Sequence, residues 1–87
     1  MTSAPHIVTA LPTGIVDLTH DSRQVRPGWA FACVVGRHAD GHDFAVDAVA
    51  AGAAALVVER PLPTEAVGDV PQLVVADVRA AMGALAA

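Results

Sequence analysis

Two short polar clusters hold most of the side chains in this sequence that could bind a ligand or do chemistry. The first, His20-Asp21-Ser22-Arg23, follows an alternating apolar–polar stretch. The second, Arg37-His38-Ala39-Asp40-Gly41-His42-Asp43, follows a continuous apolar run closed by Gly36. Ser22 offers a hydroxyl that both donates and accepts, a set that suits neutral and anionic polar ligands alike. Arg37 adds a planar cation able to fork onto an oxyanion. The simpler reading of Asp21-Ser22-Arg23 is a turn, with Asp and Ser bonding nearby backbone N–H groups and Arg23 pairing with Asp21. His38-x-Asp40-x-His42-Asp43 has metal-ligand residue types, but Asp40 and Asp43 are better placed to start a helix, Asp40 as its cap. His42 then reads as a hydrogen-bonding residue of the loop-to-helix turn.

Several chemistries are excluded by what the chain lacks. None of its 87 residues is lysine, and no Gly-x-x-x-x-Gly-Lys-Ser/Thr run occurs, so no ATP-cradling loop is present. No Ser–His–Asp or Cys–His arrangement can be argued from spacing. The one cysteine, Cys33, lies in the apolar run at 29–35, where burial suppresses the thiolate; it reads as a small core residue in a reducing compartment. The five cations, Arg23, Arg26, Arg37, Arg60 and Arg79, are scattered in a chain of net charge −4. No basic stripe exists to neutralise a nucleic-acid backbone, so a nucleic-acid partner is not expected. Pro5, His6 and Pro12 interrupt the short apolar stretch near the start. Neither a signal peptide nor a membrane span is read there, and a cytoplasmic location is expected.

The elements that must position the two clusters follow from periodicity. Apolar residues are 54% of the chain but aromatics only 3%, so small alanine-rich helices packed on a sheet are expected, without a deep aromatic cage. Residues 1–14 read as a polar, proline-punctuated lead-in. Residues 15–19 alternate as a short strand with one covered face, and 29–35 and 54–58 are apolar runs of strand length. Residues 42–51 have helical spacing, with Phe44, Ala48 and Ala51 on one face and Gly52 as the residue ending the helix. Residues 59–71, rich in proline, read as an irregular connection, 72–76 as a further strand, and Asp77 as the cap of a helix from 78 onward. Alternating strands and helices imply a small single α/β domain with a mostly parallel sheet and right-handed crossovers. The last helix runs to Ala87 with no glycine, proline or polar exit, from which a fragment of a longer chain is expected.

The ordered set Asp21-Ser22-Arg23, Val25-x-Pro27-Gly28, Phe31, Val34, Gly36, Asp40-Gly41-His42-x-Phe44, Ala48, Gly52-Ala53, 55–58, Val70-Pro71, Val75 and Asp77-x-Arg79 resembles the N-terminal domain of the Mur ligases. The resemblance covers residues 15–87, and the Gly-Arg-His-Ala-Asp-Gly segment at 36–41 is closer to the MurE type than to the MurF type. It implies a domain that binds the UDP moiety of a UDP-N-acetylmuramoyl peptide. The parent would be an ATP- and magnesium-dependent acid–amino-acid ligase of cell-wall peptidoglycan synthesis, whose central ATP-binding and C-terminal domains are not in this chain. Carried over by position, the UDP contacts are Ser22, His20, and the loop Arg37, His38 and Ala39. His20 stands where many relatives have an aliphatic residue, and Arg37 where some have histidine. Trp29 replaces the usual aspartate after Pro-Gly. By this reading the chain alone is non-catalytic and holds no cofactor or metal. The readings set beside it are a MurF-type domain, an interaction module that has lost nucleotide binding, and a metal site built on His38, Asp40 and His42.

Overall fold

The computed structural model describes residues 4–86. Five strands form one sheet: β1 (Ile7–Val8), β2 (Leu18–Thr19), β3 (Ala30–Ala32), β4 (Ala55–Val58) and β5 (Gln72–Val74). Their order is β1-β5-β4-β3-β2, and every adjacent pair is parallel. Three helices accompany them, α1 (Ala45–Ala50), α2 (Thr64–Val67) and α3 (Val78–Ala86), with 3-10 turns at Ser22–Gln24 and Gly41–Phe44. The expected α/β class with a parallel sheet and flanking helices is the observed one.

Strand alternation divides the core between the two faces of the sheet. From β3 and β4, Phe31, Leu56 and Val58, with Cys33 just past β3, point to one side, where they meet Val25, Ala45, Ala48 and Val67. Ala32 and Val57 point to the other, under Val78 of α3, with Met82, Leu11 and Leu18 packed around them. The small residues Ala45 and Ala48, both buried, let α1 approach the sheet closely. Gly52 ends that helix with φ +104°, and a Cβ there would sit 2.8 Å from Pro27 Cα. Only glycine meets both demands. Trp29 has a structural account: its ring packs against the first cluster and its carbonyl accepts the Ala54 N–H at 2.7 Å.

Two elements exceed the sequence reading. Within the lead-in, Ile7–Val8 pairs with β5, and the His6 carbonyl accepts the Gln72 N–H at 2.8 Å. In the connection at 59–71, Thr64–Val67 makes one helical turn that buries Val67 and ends at Gly68. Both are too short to show a period, and both are selected by partners distant in the chain. The strands read at 15–19, 29–35 and 72–76 are shorter in the sheet, although single bonds extend them, such as Val16 N–H to Gly28 O and Val75 N–H to Val58 O. The helix at 42–51 starts as a 3-10 turn, which rotates Phe44 off the buried face; the residue is 42% exposed, and Ala51 is exposed as well. Gln72 carries the buried polar group of β5: its amide accepts the Leu62 N–H at 2.7 Å and donates to the Leu62 carbonyl at 2.9 Å.

Candidate functional site

β2 ends at Thr19, and a buried hydroxyl turns the chain there. Thr19 Oγ1 accepts the Asp21 N–H and donates to Gln24 Oε1, both at 3.1 Å. Asp21 then caps the 3-10 turn through the Arg23 N–H at 2.9 Å. It also takes two bonds from the Arg23 guanidinium, at 3.1 and 3.0 Å. Those bonds hold the Asp21 carboxyl below its ordinary range and push Arg23 up. The pair neutralises itself, so Arg23 brings little net charge to the surroundings. Ser22, on the same turn, is half-buried, and its hydroxyl has no partner among the described residues.

Beside this turn lies an open cleft of about 610 Å³, lined by His20, Asp21, Ser22, Arg23, Phe31, Phe44 and Asp47. His20 and Ser22 are therefore brought together. Phe44 and Asp47 line the cleft too, though the sequence reading gave them no site role. Their separation of three residues, one helical turn on a common face, is the available signal, but the sequence reading groups Phe44 with Ala48 and Ala51 instead. The cleft has a half-exposed ring, a free hydroxyl and two carboxylates, one of them already paired. It suits a neutral, hydrogen-bonding heterocycle better than a bare anion.

Arg37, His38 and Ala39 do not line that cleft. All three are exposed at the tip of a narrow hairpin that leaves β3, closed by the Val35–Asp40 antiparallel bridge and the Gly36 N–H to Ala39 O bond at 2.8 Å. The turn after β2 and the hairpin after β3 nevertheless leave the carboxyl ends of neighbouring parallel strands, the edge where open α/β sheets bind ligands. Gly41 lets the hairpin return tightly: a Cβ there would lie 2.6 Å from Val34 N.

The base of the hairpin is a hydrogen-bonded cluster. Asp40 Oδ1 accepts the His42 N–H at 2.9 Å and bonds His42 Nδ1 at 2.6 Å, while Oδ2 accepts from Arg60 Nη2 at 2.9 Å. The His42 bonds, backbone first, bring the Asp40 carboxyl down to about 2. His42 Nε2 accepts the Glu59 N–H at 3.0 Å, so the proton sits on Nδ1. Neither ring nitrogen is left for a metal, and among the described residues no group of three or more His, Cys, Asp or Glu could hold one. Cys33 is buried beneath the hairpin, and burial pushes its thiol up to about 12.

Comparison with known proteins gives this arrangement a family. The profile described as Mur ligase family, catalytic domain, matches residues 15–87. The chain belongs to the Mur ligase family. A UDP-N-acetylmuramoyl-L-alanyl-D-glutamate–2,6-diaminopimelate ligase from Geobacillus kaustophilus is 54% identical over 72 residues, 83% of this chain and 14% of that protein. A UDP-N-acetylmuramoyl-tripeptide–D-alanyl-D-alanine ligase from Escherichia coli K12 is 49% identical over 70 residues, 80% of this chain and 15% of that one. The crystal structure of MurF from Acinetobacter baumannii superposes with a TM-score of 0.72 at 37% identity, over 85% of this chain and 16% of that chain. This is a Mur ligase N-terminal domain, with relatives of both the MurE and MurF types. It spans about one seventh of the length of the first of these relatives. Among the described residues no helix is long and apolar enough to cross a membrane.

Proposed function

We propose that this domain binds the UDP moiety of a UDP-N-acetylmuramoyl peptide, as the N-terminal domain of an ATP-dependent peptidoglycan ligase of the MurE type. One observation carries the reading: the Ser22 hydroxyl, without a partner among the described residues, lines a cleft at the carboxyl end of β2, at the position where the family resemblance puts a UDP contact. Ser22 and His20 would hold the uridine end, with the Phe44 ring offering a stacking surface. Arg37, His38 and Ala39, at the neighbouring strand end, would meet the diphosphate, for which Arg37 supplies an unshared fork. A ligand reaching from cleft to hairpin must be extended, as a nucleoside diphosphate is.

In the intact ligase, ATP and magnesium would be held by a central domain and the incoming amino acid by a third. The chemistry would be phosphorylation of the substrate carboxylate and attack of an amine on the acyl phosphate. This domain's residues contribute binding and orientation far from the reacting carbonyl. The MurE type is favoured by the 54% identity to the diaminopimelate ligase. The MurF type is the second reading, supported by the 49% identity to the D-alanyl-D-alanine ligase and by the MurF superposition.

The test is an amide chemical-shift titration with UDP. Shifts clustered at 20–23 and 36–39 are expected, with a dissociation constant on the order of 0.1–10 mM because contacts to the sugar and peptide are absent. Ser22→Ala should weaken binding by roughly 0.5–1.5 kcal/mol, the worth of one neutral hydrogen bond. If saturating UDP moves neither cluster, the reading is wrong, and an interaction module without nucleotide binding takes its place.

A further inference from the structure

His42, outside the cleft, has both ring nitrogens engaged. Its side chain is fully buried, and each ring nitrogen serves a different element. Nδ1 holds Asp40, the closing residue of the hairpin, while Nε2 takes the backbone N–H of Glu59, just past the end of β4 and 17 residues away. The connection continues beyond Glu59: its Oε2 accepts the Val78 N–H at 3.0 Å, at the start of α3. The hairpin is closed on itself by the Val35–Asp40 bridge and the Gly36–Ala39 bond, while Arg37, His38 and Ala39 at its tip are exposed.

We infer that His42 is a positioning residue for ligand recognition: it fixes the Arg37–His38–Ala39 tip relative to the sheet edge by bridging Asp40 to the end of β4. The inference rests on the UDP reading above and deepens it by naming what holds the second half of the site. A contact residue is useful only when its support restrains it to within about half an ångström of the productive position. The imidazole meets that need because its two nitrogens point apart and its tautomer is set by the bond that each makes. Arg60 adds a second restraint on Asp40 through Oδ2.

Two substitutions split the bridge. His42→Asn keeps an N–H donor where Nδ1 lies, retaining the Asp40 bond and releasing Glu59. His42→Gln keeps an acceptor where Nε2 lies, retaining the Glu59 bond and releasing Asp40. The experiment is the residue-resolved UDP titration on the 87-residue chain, with the folded state of each variant checked by amide dispersion. The expected result is roughly tenfold weaker binding in both variants, with the UDP response lost at 36–39 and kept at 20–23. A merely structural histidine would lower the melting temperature and leave the response at both clusters intact. Retention of the response at 36–39 with affinity within about twofold would overturn the inference. If neither variant folds, Asp40→Ser, which keeps a cap for the His42 N–H but is too short to reach Nδ1, decides by the same criterion. Should wild-type chain show no UDP response at either cluster, the binding reading itself has failed, and the role of His42 falls with it.

Discussion

The buried amide of Gln72 permits a prediction whose size can be worked from the structure. Replacing it with methionine keeps similar volume and removes both bonds to Leu62. The Leu62 N–H and C=O then lose their partners, and an orphaned buried backbone group costs about 1–3 kcal/mol. Leu62 is only half-buried, so water can recover part of the loss, and a net of about 2–3 kcal/mol is expected. For a domain of this size each kcal/mol lowers the melting temperature by about 4–8 °C, giving a fall of roughly 10–20 °C by circular dichroism. Gln72→Glu sharpens the argument. Its carboxylate would face the Leu62 carbonyl in an apolar setting, so its folded-state pKa would be raised above the unfolded value. A group raised on folding contributes stability below its unfolded pKa and loses it as pH climbs through the folded one. The glutamate variant should therefore recover against the methionine variant between about pH 8 and about pH 4, where the protonated acid can donate as the amide did. A methionine variant melting within about 3 °C of wild type would refute the reasoning, as would a glutamate variant indifferent to pH.

Three further outcomes are expected. Cys33, with its thiol pushed up to about 12 by burial, should resist a thiol-specific reagent in the native state and react promptly in denaturant, measured by mass shift. The Asp40 carboxyl is lowered from 3.8 to about 2 in the folded chain, so its contribution is present above about pH 4 and is lost as pH falls through about 2. That contribution is on the order of 1 kcal/mol after allowance for solvent screening, and Asp40→Asn should flatten this part of an acid-unfolding curve. The chain should release no phosphate from ATP with or without a UDP-muramoyl peptide, because it contains neither a phosphate-cradling loop nor a lysine; release above the buffer rate in a coupled phosphate assay would contradict this.

How far the sequence could be read depended on whether the signal was local. The runs leading to β3 and β4 were legible because strands buried on both faces are continuously apolar. The caps were legible for the same kind of reason: Asp40 does bond the His42 N–H, and Asp77 the Ala80 N–H at 3.1 Å. β1 was not, since its selection depends on Gln72 and Leu73, far along the chain. The site divides similarly. The residue types at Ser22 and His20 pointed to a polar pocket, and the cleft has them. Phe44 could not be assigned correctly from helical spacing, because the first turn of that segment is 3-10 and points its ring outward. The use of both His42 nitrogens was invisible as well, for one partner is a backbone N–H that any residue at 59 would supply.

The strand order has a consequence for how the chain assembles. β1 has one neighbour in the sheet, β5, which pairs Ile7 with Gln72 and Val8 with Leu73. During synthesis β1 must wait until β5 has left the ribosome, while β2, β3 and β4 can already associate. Closing so long a loop costs entropy before any contact repays it, so the edge joining β1 to β5 is expected to zip last. The same edge should be the first to open in the native ensemble, with the Gln72 amide exchanging faster than its burial alone would suggest, since its acceptor is the carbonyl of His6.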